Sequence, residues 1–265
     1  MTAPQGTTLS TEQLAQVFRL LKGADGVELK LSVPDADRRS AVAALDIDAL
    51  DAQVRQVAFL DTPDLVLDAR GVVVRLRRVQ RKSADSIIKL RPLDPSDVPK
   101  QVRTSPAFGI EVDAMPGGFV CSGTMKATLD DAEVRDALRH ARPLRRLFTK
   151  EQRDLFAAHA PGGVNLDELS VLGPINVLKL KFTPEGFSRR MVAELWFYPD
   201  GSRTLELSTK CLPNDAFETA AAARAFLAAR GIDLTAEQQT KTRAALELFA
   251  AGLREAAPPT PDTEE

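Results

Sequence analysis

Four cations recur at alternate positions in two neighbouring stretches of this chain, Arg75 and Arg77 in the first and Lys89 and Arg91 in the second. In an extended strand such positions share a face, so a two-stranded ribbon presents all four side chains together. On an antiparallel sheet that face is commonly solvated, but the same alternation recurs along the rest of the chain. Glu28 and Lys30, Glu111 and Asp113, Lys179 and Lys181, Glu194, and Glu206 with Lys210 all sit opposite aliphatic partners. Residues 147–156 read as a further strand, with Thr149, Glu151 and Arg153 on its polar face. Basic strands are segregated from acidic ones, unlike the mixed Ser, Thr and Asn of a washed surface. Guanidinium and ammonium groups in a cluster match phosphate oxygens, and clustered carboxylates hold hard divalent cations such as Mg2+. Together they suit a polyphosphate with its metal ion.

These side chains need a scaffold that buries the aliphatic face and brings the polar faces together. Strands are expected at residues 27–33, 56–61, 73–79, 87–91, 108–113, 177–182, 191–197 and 203–210. The last two are joined by the turn Tyr198-Pro199-Asp200-Gly201. Helices are expected after Ser10, at 37–45, from Thr128 to about Arg142, from Asp215 to Gly231, and from a cap at Thr235 and Gln238 onward. Pro63 ends one strand, residues 64–70 make a single turn closed by Gly71, and residues 82–85 form a polar turn. Amphipathic helices are sufficient to cover an apolar face, which implies an α+β fold with an antiparallel sheet curled around its charged side.

With 265 residues, 44% hydrophobic and 27% charged, the chain reads as one soluble domain over residues 1–257, followed by a disordered acidic tail at 258–265. It has no run of eighteen apolar residues and no signal-peptide pattern, which suggests a cytoplasmic protein. Cys121 and Cys211 lack metal-ligand spacing and are expected to be free thiols, and two histidines give little material for a zinc site or a catalytic triad. A formal charge of −2 argues against a generic polyanion surface, so no nucleic-acid partner is expected and any anion site must be local and enclosed. There is no P-loop pattern.

Phe59-Leu60-Asp61-Thr62-Pro63 resembles the aromatic-x-Asp-Thr-Pro element of the CYTH or triphosphate tunnel metalloenzyme family, and residues 71–78 resemble the Arg-x-Arg strand that follows it. Ile88-Lys89-Leu90 is similar to that family's lysine strand, Glu111-Val112-Asp113 to its acidic strand, and Glu28-Leu29-Lys30 to the latter part of its Glu-x-Glu-x-Lys signature. The likeness spans residues 27–210, with two departures. Gly26 stands where the first glutamate of that signature falls, and Lys179 and Lys181 stand where many members carry Glu-x-Glu, a role left to Glu194 and Glu206.

The resemblance implies an eight-stranded antiparallel barrel, open at both ends, with a charged interior and helices outside. It also implies Mg2+ or Mn2+ and hydrolysis of an inorganic or organic triphosphate, with Glu28 and Lys30 as catalytic residues. Phosphate contacts are expected from Lys30, Arg75, Arg77, Lys89 and Arg153, with Lys179, Lys181 and Lys210 in addition. Metal coordination is expected from Glu28, Glu111, Asp113, Glu194 and Glu206. A non-catalytic polyphosphate sensor and an adenylate cyclase are the alternative functions.

Overall fold

Strand β1 (Gly26–Val33) is paired along both edges, antiparallel to β9 (Arg203–Cys211) and parallel to β5 (Phe108–Met115), and this double pairing closes the sheet. The computed structural model describes residues 10–140, 143–234 and 241–256. Between those edges run β6 (Gly118–Leu129), β4 (Lys82–Leu90), β3 (Val72–Val79), β2 (Gln53–Asp61), β7 (Ser170–Phe182) and β8 (Met191–Phe197), each antiparallel to its neighbours. The barrel order is β1-β5-β6-β4-β3-β2-β7-β8-β9. The expected charged barrel is therefore present, with nine strands in place of eight and one parallel pair.

Two strand assignments differ from the expectation, one lost and one gained. The stretch from 147 to 156 is not a strand: Thr149 caps helix α5 (Lys150–His159), its hydroxyl accepting from Gln152 N while the Gln152 side chain accepts from Thr149 N. That reciprocal cap outweighs a weak alternation of polar residues. The additional strand, β6, follows Pro116-Gly117 as the return arm of a hairpin with β5. Its Cys, Ser, Gly and Thr run carries too little hydrophobic contrast to announce a strand. Thr128 accordingly lies in β6, and Asp130 caps α4 (Asp131–His140) through Ala132 N and Glu133 N.

Outside the barrel, α1 (Thr11–Gly23), α4 and α5 cover one apolar flank, which includes Leu60, Leu76, Ile88, Ile110 and Val112. Helices α2 (Arg38–Ala44) and α6 (Ala216–Ala229) cover the other, on Leu31, Met191, Leu205 and Leu207. A short helix, α3 (Lys100–Arg103), lies within the expected Pro-rich loop. The last helix, α7 (Lys241–Ala256), breaks the pattern, because Ala245 and Leu246 pack with Val57, Phe59, Ile175, Val177 and Trp196. Val57 and Phe59 oppose Arg77 and Arg75, so they face the interior. Helix α7 therefore lies against the inner wall, in addition to the helices that cover the outside as expected. The expected cap at Thr235 and Gln238 and the acidic tail fall outside the described residues. Among the described residues, no helix is long and apolar enough to cross a membrane.

The Asp-Thr-Pro element is structural. Asp61 is 2% exposed, and its carboxylate accepts from Thr62 N, Leu67 N and Asp68 N, which folds the connection into β3. Gly71, at φ 70°, ends that connection where a Cβ would lie 2.3 Å from Arg91 O. Only glycine permits this approach, which lets Arg91 N donate to Gly71 O at 2.7 Å and sets the register of β3 on β4.

In place of Arg153, its neighbour Gln152 faces the barrel from outside, fully buried and donating to Ser86 O at 3.1 Å and Met125 O at 3.2 Å. Gln152→Ala leaves those buried carbonyls without their side-chain donor and should cost about 1–3 kcal/mol in a denaturant titration. Exposed Arg153→Ala should change stability by less than about 0.5 kcal/mol.

Candidate functional site

The parallel pairing of β1 with β5 sets Glu28 opposite Asp113 and Gly26 opposite Glu111, while β9 brings Lys210 opposite Glu28. The three carboxylates each offer an oxygen within 4.8 Å of the others. Lys30 lies 2.8 Å from Asp113 and 3.3 Å from Glu28, Lys210 pairs with Glu111, and Ser208 Oγ donates to Glu28 at 2.9 Å. Asp113 is wholly buried, with Lys89 at 3.8 Å and Arg91 at 3.6 Å as further ion-pair partners. Burial opposes ionisation of Asp113 and Glu28, but the surrounding cations outweigh it and hold both below the usual carboxylate range. Lys30 shows the converse: burial opposes its charge, and Asp113 and Glu28 together keep it protonated.

A second cluster forms where β3, β4 and β6 adjoin. Asp85 accepts from Arg77 Nε at 3.0 Å and Nη2 at 2.5 Å, with Lys126 at 3.6 Å and Arg75 at 4.0 Å. Arg55 on β2 also feels Arg77 and Asp85, and both its Nε and that of Arg75 are buried without a hydrogen-bond partner. Three cations thus pair with one carboxylate, and Arg55 and Arg75 also feel the more distant charge of Glu194. Burial and the neighbouring Arg77 push Arg75 down to about 10. Lys89 is pushed down to about 8, chiefly by burial, with Lys30, Arg91 and Arg75 adding to the shift and Asp113 only partly offsetting it.

The third cluster is carried by β7, β8, β9 and α7. Glu194 lies 2.7 Å from Lys179 and also pairs with Lys241, which reaches Glu206 at 2.6 Å. Trp196 Nε1 donates to Glu194 at 3.4 Å, and Lys241 Nζ stands 5.0 Å from the centre of the indole ring. Burial works against Lys241, yet Glu206 and Glu194 keep it charged. Glu194 is held well below its ordinary range by Lys241 and Lys179 despite its burial.

The structure therefore brings Glu28, Lys30, Arg75, Arg77, Lys89, Glu111, Asp113, Lys179, Glu194, Glu206 and Lys210 to one interior. The proposed carboxylate set divides in two, since Glu194 and Glu206 are engaged by lysines and stand apart from the Glu28–Glu111–Asp113 group. Arg153 is excluded, lying exposed on α5 and donating to Phe148 O. Lys181 shares the face of Lys179 but is exposed near the strand end, opposite Val192.

Sequence reasoning missed Arg55, Asp85, Lys126 and Lys241. Counting back by two from Lys89 through Ile87 reaches Asp85, and from Phe59 through Val57 reaches Arg55, so both were within reach of the alternation. Lys126 was hidden with β6. Nothing in a helix-forming stretch marks Lys241 as interior.

Neither a family model nor a curated protein matches this chain. Among solved structures, it is similar to a candidate adenylyl cyclase from Hippeastrum with a dominant triphosphatase activity. The identity is 14%, the TM-score 0.62, and coverage is 85% of this chain and 95% of that one. It is also similar to a candidate adenylate cyclase from Bacillus halodurans, at 14% identity and TM-score 0.58, over 83% of this chain and 97% of that one. The chain has the barrel fold of these proteins, the fold that its resemblance to the triphosphate tunnel family implies.

The depressed Lys89 identifies a folded state that carries this charge at a cost. Lys89→Met should raise the melting temperature of the ligand-free protein at pH 7. Between pH 8 and the ordinary lysine value of 10.5, the unfolded parent binds the extra proton, so its stability rises with pH from this group. The advantage of the variant should shrink across that window, and a pH series of melting curves measures it. An advantage that holds constant or grows would contradict the assigned environment of Lys89.

Proposed function

We propose that this protein hydrolyses a triphosphate inside the barrel with the help of Mg2+ or Mn2+. The observation that carries this reading is the imbalance around Asp85: Arg75, Arg77 and Lys126 pair with one carboxylate, Arg55 adds its charge beside Arg77, and Lys89 and Arg91 stand close by on the same wall. Buried like charges repel unless an anion joins them, and a chain of phosphates supplies many acceptor oxygens in the required row. The triphosphatase activity of the Hippeastrum neighbour supports the same reading.

Glu28, Glu111 and Asp113 suit a hard divalent ion, being three carboxylates of short mutual distance, of which Asp113 is wholly buried. When bound, the ion neutralises phosphate oxygens and polarises the phosphoanhydride. Glu194 and Glu206 do not belong to that set, because Lys241 and Lys179 already satisfy them.

The remaining work falls to the chain's own groups. Arg55, Arg75, Arg77 and Lys126 bind and align the phosphates. Lys30 stays a cation and contacts a phosphate oxygen, so it serves as an electrostatic stabiliser and not as a base. Glu28, ionised and held by Ser208 and Lys30, orients the attacking water. That water forms a bond to the terminal phosphorus as the bridging P–O bond breaks, its proton leaving with the phosphate products, orthophosphate and the remaining diphosphate. Positioning and charge neutralisation supply most of the rate.

Trp196 is the single tryptophan of the chain and sits beside Glu194 and Lys241, so its emission should report occupancy of the interior. Tripolyphosphate should change that emission and raise the melting temperature, and Mg2+ or Mn2+ should start phosphate release. Arg75→Ala should weaken binding by about 1.5–3 kcal/mol. Asp113→Asn or Glu28→Gln should lose turnover while still responding to tripolyphosphate. Binding without release under any divalent ion would instead mark a sensor, and absence of both responses would remove the tunnel reading.

A further inference from the structure

Lys210 on β9 and Glu111 on β5 are not neighbours in the sheet, because β1 runs between them. Two strand spacings amount to about 9.6 Å, yet the Lys210 ammonium pairs with the Glu111 carboxylate and stands 3.9 Å from Glu28. The bridge crosses β1 where that strand carries Gly26, opposite Glu111 and on the same face as Glu28. A long side chain at that position would stand in its path. Glycine leaves the space open: its chain neighbours aside, the nearest atom that a Cβ there would meet is Cys211 O at 3.8 Å.

The carboxylate group thereby holds two ammonium counter-ions. Lys30 lies between Asp113 and Glu28, and Lys210 between Glu111 and Glu28, so two cations are shared by three carboxylates. Lys89 and Arg91 add further positive charge beside Asp113. A divalent cation added to that set meets ammonium groups lodged among the oxygens it needs, and like charges at such distances repel strongly. One ammonium must give way. The Lys30 side chain is 14% exposed and would be left as a buried charge. That of Lys210 is 61% exposed and borders a cleft of about 650 Å³, which it shares with Gly26 and Glu111 and into which it can turn.

We propose that Lys210 is a tethered counter-ion of the carboxylate group, which holds Glu28 and Glu111 in place and competes with a divalent ion for them. This inference rests on the metal-dependent reading above and concerns its regulation: Lys210 raises the concentration of Mg2+ or Mn2+ at which the group fills. Gly26 and Lys210 act together, one withholding a carboxylate from β1 and the other carrying a cation across the space that this leaves.

Equilibrium uptake of Mn2+ alone, followed by loss of the free-ion electron paramagnetic resonance signal, tests this without turnover. The full chain is compared with Lys210→Met, which removes the ammonium from a largely exposed position, and with Lys150→Met, which removes the same charge from an 81% exposed site on α5. Lys210→Met should lower the Kd for Mn2+ about tenfold or more, and Lys150→Met should change it less than about twofold. The gain should persist in about 1 M KCl, where a Debye length of about 3 Å removes the field of a distant charge but not a direct contest for the same oxygens. A Lys210→Met Kd equal to that of the parent, an equal fall in Lys150→Met, or a gain that vanishes in high salt overturns the inference and leaves the metal site standing. Mn2+ taken up by neither the parent nor Lys210→Met overturns the metal-dependent reading itself.

Discussion

Among the described residues, the interior of this barrel holds more cations than carboxylates to match them, and that excess governs the molecule. Asp113, with no exposure, faces Lys30, Lys89 and Arg91, while Asp85 faces Arg77, Arg75 and Lys126. Each carboxylate is the hub of several cations, so removing either would strand like charges in a poorly solvated space, where the penalty reaches several kcal/mol. The apolar face of the sheet must therefore be strong enough to hold closed a structure whose inner face resists closure. That accounts for helices on both outer flanks and for buried side chains as large as Leu60, Leu76, Ile88, Ile110 and Leu207 on the outward register.

Closure also explains why residues far apart in sequence share one site. An antiparallel meander alone would keep Glu28 and Asp113 at opposite edges. The parallel contact of β1 with β5 brings them opposite each other, and the antiparallel contact with β9 adds Lys210 and Ser208 on the other side. The first strand is thus the keystone of the carboxylate group. Glu111, opposite Gly26, supplies a carboxylate at the level where β1 offers none.

The alternation of charged and aliphatic residues revealed most of this wall before any coordinates, because a strand with one buried face has only one workable register. Arg75, Arg77, Lys89, Glu111 and Asp113 were legible for that reason. Arg153 was misplaced because polar alternation over a few residues is also compatible with a helix, and the decision lay in the Thr149–Gln152 cap. Strand β6 stayed hidden because its small and polar residues are buried by closure of the barrel and not by their own hydrophobicity, so Lys126 stayed hidden with it. Asp85 was lost through placing the turn at residues 82–85, which instead begin β4: the hairpin turns at Gln80-Arg81, and Arg81 takes φ 57°. Lys241 could not be placed by local pattern at all, since its position depends on which side of the barrel wall α7 occupies.

The placement of α7 bears on which carboxylates can hold a metal ion. Glu194 and Glu206 oppose each other across the β8–β9 hairpin and, alone, would form the repelling pair that a divalent cation relieves. Lys241 removes that need, since its ammonium bridges both while Ala245 and Leu246 are anchored among Val57, Phe59 and Trp196. Displacing it would require an incoming ion to compensate two desolvated carboxylates and also a buried lysine left without partners. At Glu28, Glu111 and Asp113 the balance differs. Lys210 is 61% exposed and can swing into water without leaving a buried charge, and Lys30 can turn from Asp113 toward an arriving phosphate. The same lysine chemistry therefore closes one carboxylate pair to a cation and leaves the other group open, and the difference lies in whether the lysine is held by a packed helix or by solvent.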